Sequence, residues 1–154
     1  MQNTEINVSI KYLSQKIGNE IKEPFYATNG SAGMDLCAVL DEPYLLKAGE
    51  RALISTGIAL EIPENAAAFI YARSGLGIKH GICLANGVGV IDSDYRGEIK
   101  VGLINLGGED YLINPGERIA QMVFSPVQKA VLTVKEDLEK TERGEGGFGS
   151  TGKS

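Results

Sequence analysis

Turn residues cut this chain into apolar segments too short for packed helices, and that pattern constrains its fold more than any other feature. Ile6, Val8 and Ile10 alternate with Asn7, Ser9 and Lys11, the period of two expected of a half-buried strand. Short apolar segments follow at Ala52–Ser55, Ile58–Ile62, Ala67–Ala72, Ile82–Leu84, Ile99–Leu106, Tyr111–Ile113, Ile119–Phe124 and Val131–Val134. Between them lie Asn29-Gly30, Lys47-Ala48-Gly49, Pro63-Glu64-Asn65, Gly107-Gly108 and Asn114-Pro115-Gly116, all of them turn chemistry. Many short strands at this spacing predict an all-β sandwich or barrel. Helical signals are weak. Leu76–His80 is long enough for one turn, and Lys135–Glu142 is too short and too charged for a packed helix.

The length of 154 residues fits one domain. That domain is expected over residues 1–141, followed by a mobile tail over residues 142–154, which has five glycines and no apolar period. Glycine makes up 20 of the 154 residues, about 13 % against a usual ~7 %. The excess belongs in turns or where backbone approaches a ligand closely. Net charge is −5 and no basic stretch is dense enough for a nucleic-acid patch, so any polyanion is handled at a local site. No apolar run reaches the length of a membrane span, and MQNTEINVSI lacks the charged and apolar regions of a signal peptide. Cys37 and Cys83 do not make a disulfide framework, so a reducing cytoplasm is the expected location. With His80 as the one histidine, an all-protein zinc site is not expected.

Four polar segments associated with glycine, and the tail, carry the chemistry. They are Ser31-Ala32-Gly33-Met34-Asp35-Leu36-Cys37-Ala38, Ala72-Arg73-Ser74-Gly75-Leu76-Gly77, the run from Asn86 to Gly97, and Pro115-Gly116-Glu117-Arg118-Ile119-Ala120-Gln121-Met122. The tail motif runs from Arg143 to Gly152. Each has a bland reading alone: Pro-Gly-Glu-Arg opens a strand, Asp92-Ser93-Asp94 is a solvated turn, and Arg73 makes a surface salt bridge. In this order and spacing they closely resemble the five motifs of the trimeric dUTPases, from Ser31 to Gly152.

The resemblance implies a distorted β jelly roll in a homotrimer, with each active site assembled from three subunits. It implies hydrolysis of dUTP to dUMP and pyrophosphate. Asp92 matches the catalytic base, and a carboxylate that deprotonates water suits attack on a phosphoanhydride. Arg73, Ser74 and Gly75 match the phosphate-binding segment, where a guanidinium gives bidentate contact and glycine lets backbone come close. Asn86 to Val90, Gly89 included, matches the uracil-reading hairpin, and Ile91 is a further substrate-binding position of the match. Such a hairpin rejects cytosine by leaving buried polar groups unpaired. Tyr95 matches the ring beneath deoxyribose, with a half-buried strand aromatic as the alternative, and Lys100 matches a further substrate contact. Asp35 and Gln121 match residues that organise metal-bound waters; the alternative is a buried hydrogen-bonded pair between neighbouring strands. Phe148 would stack on the base, Arg143 would reach the terminal phosphates, and Gly149, Ser150 and Thr151 would wrap the phosphates. The implied cofactor is Mg²⁺, held mainly by the substrate's phosphates with no direct protein ligand. No nucleic-acid or membrane partner is expected.

Three rivals are weighed against this. Gly147–Ser154 satisfies the Walker A pattern, but a P-loop follows a strand and opens a helix, and the sequence offers neither here. A dCTP deaminase would need a general-base glutamate beside a more basic phosphate segment than Ala72–Gly77. A non-enzymatic jelly-roll module would not need the set Asp92, Arg143 and Phe148.

Overall fold

A computed structural model describes residues 5–147. Its strands are β1 (Ser9–Tyr12), β2 (Phe25–Tyr26), β3 (Met34–Cys37), β4 (Tyr44–Leu46), β5 (Arg51–Ser55) and β6 (Ile58–Glu61). They continue with β7 (Ala66–Tyr71), β8 (Ile82–Leu84), β9 (Gly89–Ile91), β10 (Lys100–Asn105), β11 (Tyr111–Ile113) and β12 (Arg118–Pro126). One helix, α1 (Ser74–His80), lies between β7 and β8. The largest sheet is five-stranded, in the order β2-β3-β12-β7-β9, and a three-stranded sheet runs β5-β10-β8. Two two-stranded ribbons, β1-β6 and β11-β4, complete a distorted jelly roll.

The core is aliphatic. Leu36, Ile54, Ile58, Ile82, Leu103, Ile113, Ile119 and Met122 are buried between the sheets. Each contributes roughly 1.5–3 kcal/mol relative to leaving it exposed. In β10, Val101, Leu103 and Asn105 point inward while Lys100 points out, the alternation a strand imposes. Asn105 is fully buried and fully paired: it donates to Leu46 O and Glu109 O and accepts from Gly107 N. β12 is the long central strand, pairing β3 on one side and β7 on the other. A register shift between Arg118 and Ala120 leaves Arg118 opposite Cys37 and Gln121 opposite Asp35.

Three expectations change. The Ile6–Ile10 alternation does not mark the strand itself: β1 is Ser9–Tyr12, fully exposed, and its position is set by pairing with β6. The Val131–Val134 segment is not a strand and carries exposed apolar side chains, because among the described residues no strand of this chain pairs with it. The Leu76–His80 turn is longer, a helix beginning at Ser74, whose signal was masked by Gly75 and Gly77. It ends at Gly81 in the left-handed conformation, φ +70°, where a side chain would strike the backbone of Gly107.

Candidate active site

The segment after β7 places Arg73 at the N-cap of α1, and the neighbouring strands β12 and β3 of the large sheet bring two other motifs to it. Arg73 Nε donates to Asp35 Oδ1 at 3.0 Å, and Arg118 Nη1 donates to Asp35 Oδ2 at 3.0 Å. Arg73 also donates to the Arg118 carbonyl at 3.2 Å. Asp35 is buried, so its charge requires such partners, and both of its oxygens have one. Gln121 donates to the Ala72 carbonyl at 3.0 Å and turns its other amide atom toward Gly33. A Cβ on Gly33 would lie 2.5 Å from Gln121 Oε1, so glycine is what lets the first motif close against the fourth. Asp35 and Gln121 face each other across β3 and β12, yet each bonds a different partner rather than the other. These residues, with Ser31, Ser74 and Gly75, line a cleft of about 300 Å³. Two guanidinium groups and one carboxylate leave it one net positive charge, suited to an anion.

A second cleft, about 550 Å³, is lined by Leu53, Val90, Ile91, Asp92, Tyr95, Glu98, Ile99 and Lys100. Asp92 follows β9 and its backbone carbonyl accepts the Tyr95 N–H at 3.2 Å, so a short turn brings the carboxylate and the ring into one place. Arg96 braces that turn, donating to the Ser93 carbonyl at 2.6 Å. The Tyr95 hydroxyl donates to the Glu98 carbonyl at 3.0 Å. The Glu98 carboxylate pairs with Lys100 at 3.4 Å and accepts the Gly57 N–H at 3.1 Å, tying the segment to the turn between β5 and β6. Asp92 also borders a larger cleft of about 960 Å³, with Glu61, Glu64, Asp94, Arg96 and Lys129.

The expected hairpin is a turn between two sheets: β8 pairs with β10 and β9 with β7, and the chain turns between them at Asn86-Gly87-Val88, with Gly87 at φ +74° and Asn86 exposed. Gly89 lies flat on β7, where a Cβ would meet Ile70 Cβ at 3.0 Å. Arg143 is exposed and donates to the Gly146 carbonyl at 2.8 Å. Phe148, Gly149, Ser150 and Thr151 lie outside the described residues. His80 is exposed and packs at a tilt on Tyr111, ring centroids 4.9 Å apart.

The two clefts are separate in one chain, and register explains it. Ile91 pairs with Ala68, and Asp92 lies one residue further along, whereas Arg73 lies five residues the other way. At ~3.3 Å per residue that is at least about 16 Å along the strand. Sequence reasoning singled out neither Arg118 nor Glu98. Arg118 stood inside the fourth motif but read as a strand opener, and Glu98 follows the third without any local signal.

Among the described residues, no three His, Cys, Asp or Glu side chains come close enough to hold a metal ion. With both Asp35 oxygens engaged by arginines, the donor set fits a hydrated cation carried by a ligand's phosphates better than one caged by protein. No described helix is long and apolar enough to cross a membrane.

A jelly roll with an arginine-lined cleft at one sheet edge and an aspartate–tyrosine cleft at another is a binding scaffold for a small anionic ligand. The sequence matches the dUTPase family model over residues 19–152. It is 54 % identical over 149 residues to the deoxyuridine 5'-triphosphate nucleotidohydrolase of Coxiella burnetii (strain Dugway 5J108-111), covering 96 % of this chain and 98 % of that one. It is 52 % identical over 147 residues to that of Haemophilus influenzae (strain PittEE), covering 95 % and 97 %. The structure of Staphylococcus bacteriophage 80alpha dUTPase with dUPNHPP superposes with a TM-score of 0.83 at 28 % identity, over 95 % of this chain and 98 % of that one. The chain belongs to the dUTPase family.

Proposed function

We propose that this chain hydrolyses dUTP to dUMP and pyrophosphate, in the cytoplasm, at sites shared between three copies. The reaction keeps uracil out of DNA and supplies dUMP for dTMP synthesis. The observation that carries the reading is the convergence of Arg73 and Arg118 on the buried Asp35, which fixes two guanidinium groups at one cleft. Such preorganised donors stabilise charge that develops on phosphoryl oxygens. Asp92 orients and deprotonates a water that attacks the α-phosphorus, and pyrophosphate leaves. Arg73, Ser74 and Gly75 hold the phosphates, while Asn86, Gly89, Val90 and Ile91 frame the uracil. Tyr95 lies beneath the deoxyribose and Lys100 contacts the substrate beside it. Arg143 joins from the tail, with Phe148 on the base and Gly149, Ser150 and Thr151 about the phosphates. Asp35 and Gln121 would organise waters on a metal ion carried by the triphosphate. Mg²⁺ carried by the triphosphate supplies charge neutralisation.

Two observations support shared sites. The strand register keeps Arg73 and Asp92 of one chain too far apart to act on one phosphate group. Beyond β12, Val131, Leu132 and Val134 are 94 %, 90 % and 97 % exposed, an apolar arm that another copy of the chain would cover. Pyrophosphate release measured over dUTP, dCTP, dTTP and UTP tests the reading. dUTP should be cleaved at least tenfold faster in kcat/KM than each of the others. Equal rates for dCTP would remove the hairpin from base selection, and no release from dUTP would end the proposal.

A further inference from the structure

Gly97 is half-buried and lies two residues past Tyr95, and the tyrosine ring folds back over it. A Cβ at Gly97 would fall against the hydroxyl end of the ring, nearest the hydroxyl oxygen itself, 2.6 Å from Tyr95 Cζ and 3.0 Å from Cε2, too close for a side-chain carbon. The backbone of Gly97 is not among the left-handed glycines, so an alanine is excluded by the ring and not by its own conformation. The same end of the ring is held by its hydroxyl, which donates to the Glu98 carbonyl at 3.0 Å. Glu98 is in turn fixed by the Gly57 N–H and by Lys100. So the ring rests on a bare backbone and its one donor hydrogen is already spent.

We propose that Gly97 is a positioning residue for sugar selection, providing the floor on which Tyr95 lies so that its carbon face, rather than its hydroxyl, meets the pentose. This rests on the reading of Tyr95 as the ring beneath deoxyribose. The physical consequence is specific. A 2'-hydroxyl brought against that face finds neither room nor a donor and loses its hydration, and burying a hydroxyl without a partner is unfavourable. A sugar without that oxygen has nothing to lose there. With a methyl group at residue 97 the ring, free at its solvent side and 45 % exposed, is the part that yields. It swings outward and the hydroxyl leaves Glu98.

The test compares Gly97→Ala, Tyr95→Ala and the double variant, reading kcat/KM for dUTP and for UTP together with thermal unfolding. Gly97→Ala should keep its fold and its melting temperature within a few degrees. The preference for dUTP over UTP should fall at least tenfold, through a higher KM for dUTP and a gain on UTP. In the Tyr95→Ala background, adding Gly97→Ala should change the preference no further, because the residue acts only through the ring. If Gly97→Ala keeps full preference while Tyr95→Ala loses it, the floor is not needed and the inference fails, although the role of Tyr95 stands. If Tyr95→Ala keeps full preference, the reading of the tyrosine fails first. An unfolded Gly97→Ala protein would also overturn the inference, which requires the ring and not the backbone to give way.

Discussion

Asp92 is exposed at the mouth of two clefts, and its position is set by a four-residue turn rather than by burial. A base that must hold a water needs that access, whereas Asp35, buried between two arginines, has both oxygens engaged and is placed to orient cations instead. Under the proposed reaction, environment divides the two carboxylates into a proton acceptor, Asp92, and a brace, Asp35. Asp92→Asn keeps the shape and the turn but cannot take a proton. Turnover of dUTP should fall by about 10²–10⁴-fold with KM little changed, the usual range for a positioned general base. Steady-state kinetics on the purified variant would check this, and near-normal turnover would remove Asp92 from its role.

β11 carries a device with a pH signature. Tyr111 donates to the Glu117 carboxylate, which also accepts the Asn114 N–H and so closes the turn into β12. Burial, and then this bond, push the Tyr111 hydroxyl up from 10.0 to about 12. The neutral form is therefore favoured in the folded state. Its contribution to stability is fully present below pH 10 and is lost as pH rises toward 12. Urea midpoints measured below pH 10 and again near pH 12 should fall more for the natural chain than for Tyr111→Phe, which has no hydroxyl to titrate. Parallel slopes would mean the tyrosine is not coupled to folding. Strand β7, in the five-stranded sheet, shows tertiary structure overriding propensity. Ala66, Ala67 and Ala68 are poor strand formers, yet all three are buried and pair with β12.

For the whole molecule, the strand register makes a prediction that local structure does not. If each site takes Arg73 from one chain and Asp92 from another, neither Arg73→Ala nor Asp92→Asn protein is active alone. Refolded together, they should recover dUTP hydrolysis, because some mixed assemblies contain sites with both natural residues. If both groups came from one chain, no natural site could form in any mixture. Absence of recovery in material shown by mass spectrometry to be mixed would argue for sites within single chains.

The sequence by itself determined the strand-rich class and much of the strand placement. Ile82–Leu84 and Tyr111–Ile113 reappear unchanged as β8 and β11, since a short apolar run between turn residues has few other ways to bury itself. It also marked the motif residues, whose order along the chain is a one-dimensional property. Only the tertiary structure decided that Asp35 serves Arg73 and Arg118 at once, that Glu98 holds Tyr95 and Lys100, and that Gly97 lies under a ring. It alone also left Val131–Val134 without a partner strand among the described residues. The reason is physical. Periodicity reports which face of one element is buried, whereas ion pairs and close approaches depend on the relative placement of segments as distant as Asp35 and Arg118, which register and packing fix together.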